Sequence, residues 1–204
     1  YEKALSLKPD YIQALYNKGN LHKQMKNLEK AIKSYKSVIR AQPSHVGALY
    51  NMANGLKDQD KIDQSISYYK KALDVRPDFS EALNNLGNAY KEKGDYLKAV
   101  ESFKKSLKIS PNNLDSVFSL GGVLLMLGKF QEGWDKYESR WKVDIGKQVE
   151  WRVKDKPMWN GEAGKKVLLW REQGIGDDIL FLSLLPEAIK LCASIVVFID
   201  QRLV

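Results

Sequence analysis

Apolar and polar positions alternate along this chain with the 3.6-residue period of amphipathic helices, and the whole pattern returns every 34 residues. Prolines mark the period at Pro9, Pro43, Pro77 and Pro111. An aromatic recurs at Tyr1, Tyr35, Tyr69, Phe103 and Tyr137, and small residues recur at Ala31, Ser65, Ala99 and Gly133 and at Gly19, Ala53, Gly87 and Gly121. Each unit reads as a pair of helices. In the fourth unit the first helix opens at Ser80 or Glu81 and runs to about Lys93, Gly94-Asp95 makes the turn, and the second helix spans about Tyr96 to Ile109. Gly87 and Ala99 let the two helices approach closely, while Tyr90, Tyr96 and Phe103 fill the seam. Pro111 cannot continue the second helix and so ends it. No pair can bury its apolar face alone, so the core comes from stacking.

The fifth unit, from Leu114, starts normally with Leu120-Gly121 and turns at Gly128-Lys129, then departs. Gly133-Trp134 and Arg140-Trp141 take the places of small–aliphatic pairs, and Ile145 stands where the next proline is due. All five tryptophans lie here or later, at Trp134, Trp141, Trp151, Trp159 and Trp170. Such an aromatic cluster suits a solenoid cap that docks onto another domain. Residues 142–165 read as a polar, turn-rich linker containing Pro157 and Gly161. The period then changes. Val167-Leu168-Leu169-Trp170 reads as a buried strand, Asp177 to Leu191 as an amphipathic helix interrupted at Pro186, and Ser194 to Ile199 as a second strand. Strand, glycine turn, helix and strand make one βαβ unit, the opening of a parallel, Rossmann-like sheet over residues 166–204.

The 34-residue columns resemble the tetratricopeptide repeat over about residues 1–141, with a partial unit at 1–11, full units at 12–45, 46–79 and 80–113, and a divergent cap at 114–141. The resemblance implies an all-α solenoid, a right-handed superhelix of helix pairs. One set of positions then stands out as a candidate binding surface. The first helix of three successive units carries asparagine at the same two columns: Asn17 and Asn20, Asn51 and Asn54, Asn85 and Asn88. A spacing of three puts each pair on one helix face. Amides donate and accept, so such a ladder can hold a peptide backbone, and it can equally bond neighbouring repeats. In tetratricopeptide arrays this column faces the concave groove, and the arrays of O-linked N-acetylglucosamine transferases use a similar ladder for protein substrates. Ser119 and Gly122 end the ladder in the fifth unit.

Composition narrows the classes. A chain of 204 residues with 44% apolar and 28% charged residues has the balance of a globular protein with a sizeable core. No window approaches the roughly 18 uninterrupted apolar residues that a membrane span needs. Cys192 is the single cysteine, which excludes an internal disulfide and fits a reducing, cytoplasmic setting. With His22 and His45 the only histidines, neither a zinc cluster nor another metal or cofactor site is expected. Of the +8 net charge, residues 1–40 hold nine Lys/Arg against three Asp/Glu. Lys23, Lys26, Lys30, Lys33 and Lys36 read as a solvated helix face; no aromatic stacking platform accompanies them, so nucleic acid is not an expected partner. Tyr1 falls within a repeat, so the chain reads as a fragment, with a signal peptide left open.

Gly174 and Gly176 follow the first predicted strand, where glycine allows a tight turn and the next helix offers free N–H groups. A third glycine is lacking and Asp177-Asp178 follows, so this is not the dinucleotide fingerprint. The run Val167-Leu168-Leu169, then Glu172-Gln173-Gly174-Ile175-Gly176-Asp177, resembles the N-terminal loop of bacterial heptosyltransferase-like glycosyltransferases. Together with Gly133-Trp134, Tyr137-Glu138, Arg140-Trp141 and Pro157 to Gly161, it is similar to bacterial proteins in which tetratricopeptide repeats precede such a domain. The resemblance implies Asp177 as general base on an acceptor hydroxyl, Glu172 and Gln173 as acceptor contacts, and a nucleotide-sugar donor held by a C-terminal half absent from these residues. By residue type alone, Asp177 is also a first-turn carboxylate favoured by the helix dipole. The expectation is a protein- or peptide-binding scaffold attached to a glycosyltransferase, the fragment itself inactive. The alternative is a non-catalytic interaction module.

Overall fold

The computed structural model describes residues 1–139, 161–170 and 184–198. The chain divides into two compact units, residues 1–144 and 145–204. In the first, α1 (Glu2–Leu7) precedes four helix pairs: α2 (Ile12–Gln24) with α3 (Leu28–Ala41), α4 (Val46–Lys57) with α5 (Ile62–Val75), α6 (Ser80–Lys93) with α7 (Tyr96–Ile109), and α8 (Leu114–Met126) with α9 (Phe130–Tyr137). Helices pack within each pair, and each pair packs on the next. The predicted bounds of α6 and α7 match the observed ones.

The core runs along the seams. Tyr35, Tyr69 and Phe103 sit in the same column and are at most 1% exposed. A Cβ built on Gly87 would lie 2.7 Å from the Phe103 ring, and one on Gly19 would lie 2.6 Å from the Tyr35 ring. Glycine is needed at both positions because the aromatic of the second helix lies against the backbone of the first.

Each pair turns through one residue in the left-handed region: Lys26 (φ 57), Asp60 (φ 60), Gly94 (φ 84) and Gly128 (φ 73). The following N–H reaches back to the helix, Asn27 to His22, Lys61 to Leu56, Asp95 to Tyr90 and Lys129 to Leu124. This is the Schellman closure, repeated at all four turns. Side chains then cap several helices: Asn27 accepts from Lys30 N–H, Asp95 from Lys98 N–H and Asn113 from Ser116 N–H. The cap of α4 is His45, whose Nδ1 accepts from Ala48 N–H at 3.1 Å while its ring lies tilted against Tyr16, centroids 4.8 Å apart.

In the second unit β1 (Lys166–Trp170) pairs in parallel with β2 (Ser194–Phe198), in register from Lys166 with Ser194 to Trp170 with Phe198. α10 (Leu185–Leu191) lies between them in the chain. Gly164 N–H to Leu191 O and Ala193 N–H to Lys165 O tie the helix end to the start of the sheet. Of the helix expected over Asp177 to Leu191, residues 177–183 lie outside the described residues; Pro186 lies in the first turn of α10, where its fixed φ fits and no intrahelical N–H is lost. Among the described residues, no helix is long and apolar enough to cross a membrane.

Candidate functional site

The asparagine columns are brought together, and they bond to one another across repeats. Asn51 Nδ2 donates to Asn20 Oδ1 (3.1 Å) and to the Tyr16 hydroxyl (3.2 Å). One repeat on, Asn85 Nδ2 donates to Asn54 Oδ1 (3.1 Å) and to the Tyr50 hydroxyl (2.9 Å). From below, the Tyr35 hydroxyl donates to Asn20 Oδ1 (2.9 Å) and the Tyr69 hydroxyl to Asn54 Oδ1. Burial, then the neighbouring Tyr16, pushes the Tyr35 phenol up to about 12, and burial followed by Tyr50 raises Tyr69 likewise. Both phenols therefore stay protonated as donors at any physiological pH.

An amide has two N–H donors and two carbonyl lone pairs. Among the described residues, both lone pairs are taken at Asn20 and Asn54 and Nδ2 has no acceptor; at Asn51 and Asn85 both donors are taken and Oδ1 keeps capacity. Lys23 Nζ approaches Asn51 Oδ1 at 3.4 Å, filling one of its two lone pairs. All four residues are half-buried, so the free groups still reach solvent. The ladder thus presents donor, acceptor, donor, acceptor, each held in place by its internal bonds. Asn17 begins it, its Oδ1 accepting from Gln13 Nε2 at 3.3 Å.

The third rung is different. Asn84 replaces the tyrosine of Tyr16 and Tyr50, Phe103 replaces Tyr35 and Tyr69, and Ser119 replaces Asn51 and Asn85. Without those partners, the half-buried Asn88 amide has no hydrogen bond among the described residues. Asn84 Oδ1 accepts from Ser116 Oγ at 2.9 Å, which leaves Asn84 Nδ2 free.

The hydroxyls of Tyr16, Tyr50, Tyr35 and Tyr69 belong to the ladder as well, and asparagine spacing alone does not point to them. Their signal was present as a shared 34-residue period. Of the tryptophan cluster, Trp134 is 47% exposed and meets Tyr137 edge-on at 5.6 Å, with Phe118 on Tyr137 at 4.9 Å. Glu172, Gln173, Gly174, Gly176 and Asp177 lie outside the described residues.

Residues 12–45 and 80–113 match the tetratricopeptide repeat model, and residues 53–94 match a further TPR repeat model. These segments are tetratricopeptide repeats. Protein FlbA of Caulobacter vibrioides is 33% identical over 70 residues, 33% of this chain, and the match spans only 12% of that protein. Among solved structures, MamA superposes with a TM-score of 0.67 at 21% identity, covering 72% of this chain and 86% of its own. YrrB, described as a TPR protein with an unusual peptide-binding site, superposes with a TM-score of 0.64 at 17% identity, covering 76% and 79%. At these identities the two structures share the fold.

Proposed function

We propose that the repeats form a protein-interaction scaffold that holds an extended peptide along the asparagine ladder. The observation that carries this reading is the alternation of free amide donors at Asn20 and Asn54 with free carbonyl capacity at Asn51 and Asn85. An extended backbone offers C=O and N–H groups in the same alternation. The peptide-binding site named for the structural neighbour YrrB supports the same use of the fold.

Asn88 separates binding from stability, because its amide makes no internal bond. Asn88→Ala is expected to weaken peptide binding about tenfold, the size of a hydrogen-bonded anchor, while leaving the unfolding midpoint within a degree or so. Asn51→Ala with Asn85→Ala lowers both. Calorimetric titration with a synthetic Gln/Ser alternating peptide, paired with thermal melts, checks this; unchanged affinity in Asn88→Ala counts against the ladder as a binding surface.

The second unit extends the reading: residues 166–204 would open a glycosyltransferase domain that moves a sugar from a nucleotide donor to a hydroxyl. The parallel pairing of β1 and β2 with α10 between them in the chain supports it, together with the sequence Gly174-Ile175-Gly176-Asp177. Asp177 would take the acceptor proton as the hydroxyl oxygen attacks sugar C1 and the nucleotide departs, with Glu172 and Gln173 contacting the acceptor and Gly174 and Gly176 letting it approach. In the full-length protein, Asp177→Asn is expected to abolish sugar transfer and leave peptide binding and melting intact. Full turnover in that variant would leave the non-catalytic scaffold as the function.

A further inference from the structure

One turn beyond the second asparagine column, α2, α4 and α6 carry a row of lysines with the same period: Lys23, Lys57 and Lys91. They stand at i+3 from Asn20, Asn54 and Asn88, on the ladder's own helix face. The contact of Lys23 Nζ with Asn51 Oδ1 at 3.4 Å places that ammonium beside the ladder. Acidic residues stand one position further round the helix at Asp58 and Glu92, and Glu92 is paired with Lys57 at 3.6 Å. Among the described residues Lys23 has no carboxylate partner, and the Lys91 ammonium makes neither an ion pair nor a hydrogen bond.

At the third rung, where the ladder loses its internal partners, one of these lysines stands beside the unbonded Asn88 amide. On α6, Asn84, Asn88 and Lys91 follow at i, i+4 and i+7, one above another on a single face. Among the described residues all three offer donors without an internal acceptor: Asn84 Nδ2, Asn88 Nδ2 and Lys91 Nζ. Three donors on one helix face, one of them charged, suit carboxylates, which have only acceptors. A row of lysines at successive repeats suits several carboxylates carried along one chain, which a lone chain terminus cannot supply.

We infer that the peptide held by the ladder is acidic and extended, with side-chain carboxylates meeting the Lys23–Lys57–Lys91 row and the strongest contact at Asn84, Asn88 and Lys91. This rests on the ladder being the peptide site. Alternation of side chains in an extended strand would turn every second residue toward the lysines.

The test uses the full chain and peptides of about twelve residues, with spacing fitted to that alternation. A Glu/Ser alternating peptide is compared by fluorescence anisotropy with its Gln/Ser counterpart, each with an amidated C-terminus. The Glu/Ser peptide is expected to bind about tenfold or more tightly at low salt, with the preference shrinking as salt screens it. Lys91→Gln is expected to remove about tenfold of that preference while barely altering Gln/Ser binding; Lys104→Gln, which removes the same charge from the exposed surface of α7, is expected to do neither. Equal binding of the two peptides, or equal effects of Lys91→Gln and Lys104→Gln, overturns the inference. So does a Gln/Ser peptide with a free terminal carboxylate that matches Glu/Ser. In those cases the ladder reading stands if Asn88→Ala still weakens binding. If no peptide binds, the ladder reading fails and the acidic preference falls with it.

Discussion

Phe103→Ala is expected to cost the repeat array about 3–5 kcal/mol, a large fraction of the roughly 5–15 kcal/mol that holds a typical domain together. The ring is fully buried, in a cluster with Tyr69, Leu86, Tyr90, Leu120 and Leu124. It lies against the backbone of Gly87, so the hole left by its removal sits between two helices whose close approach is already fixed. Neighbouring side chains cannot collapse into it without shifting α6 against α7. Because each repeat contacts mainly its neighbours, the loss should appear as early melting around α6 to α8. Hydrogen exchange resolved by residue would locate it, with protection lost first there and retained in α4 and α5. A uniform loss across all helices would show the array melting as one cooperative body instead.

Gly121→Ala is the second large effect, and its neighbour supplies the control. A Cβ at Gly121 would lie 2.6 Å from the Tyr137 backbone nitrogen and 3.0 Å from the Gly133 carbonyl oxygen. Backbone atoms cannot rotate away as a side-chain end can, so α8 and α9 must separate, an overpacking cost of about 1–3 kcal/mol or more. At Gly122, one residue on in the same helix, the added Cβ meets nothing within 4 Å. Gly122→Ala should therefore stabilise by up to about 1 kcal/mol, the helix-propensity gain of alanine over glycine. Chemical denaturation of both variants checks the pair. Opposite signs are expected; a shared sign would place the close contact elsewhere.

The helices were legible in the sequence wherever a residue admits few alternatives. Pro111 stops a helix whatever surrounds it, and Gly94 and Gly128 advertise the left-handed turns they form. The same turns at Lys26 and Asp60 were not legible, because an ordinary residue in the left-handed region leaves no mark on the sequence. His45 as a helix cap was hidden for a similar reason: the imidazole is a less common acceptor than asparagine or aspartate, and its ring lies tilted against Tyr16 from the preceding repeat.

The asparagine columns illustrate a different limit. Spacing alone placed Asn20 with Asn54 and Asn51 with Asn85 on one face, yet it could not decide between binding a peptide and bonding neighbouring repeats. The structure shows the bonding of neighbouring repeats, Asn51 to Asn20 and Asn85 to Asn54, while Asn20 and Asn54 keep Nδ2 without a partner among the described residues. That division depends on Tyr16, Tyr50, Tyr35 and Tyr69, whose hydroxyls orient the amides. Where the tyrosines give way to Asn84 and Phe103, the Asn88 amide loses its internal partners. In the second unit the strand pattern of Val167 to Trp170 and Ser194 to Phe198 was readable from its apolar runs, and the helical pattern up to Leu191 is met by α10, with Pro186 in its first turn.

The most direct measurement is the response of the asparagine side-chain amide resonances as the alternating Glu/Ser peptide is added to the isotopically labelled chain. The expected result is that the Nδ2 protons of Asn20, Asn54 and Asn88 shift together and exchange more slowly with water, since these are the donors left free. The Nδ2 protons of Asn51 and Asn85, already bonded to asparagine and tyrosine oxygens, should move little. Binding that shifts other residues while the Asn20, Asn54 and Asn88 amides stay in place would contradict the ladder as the peptide site.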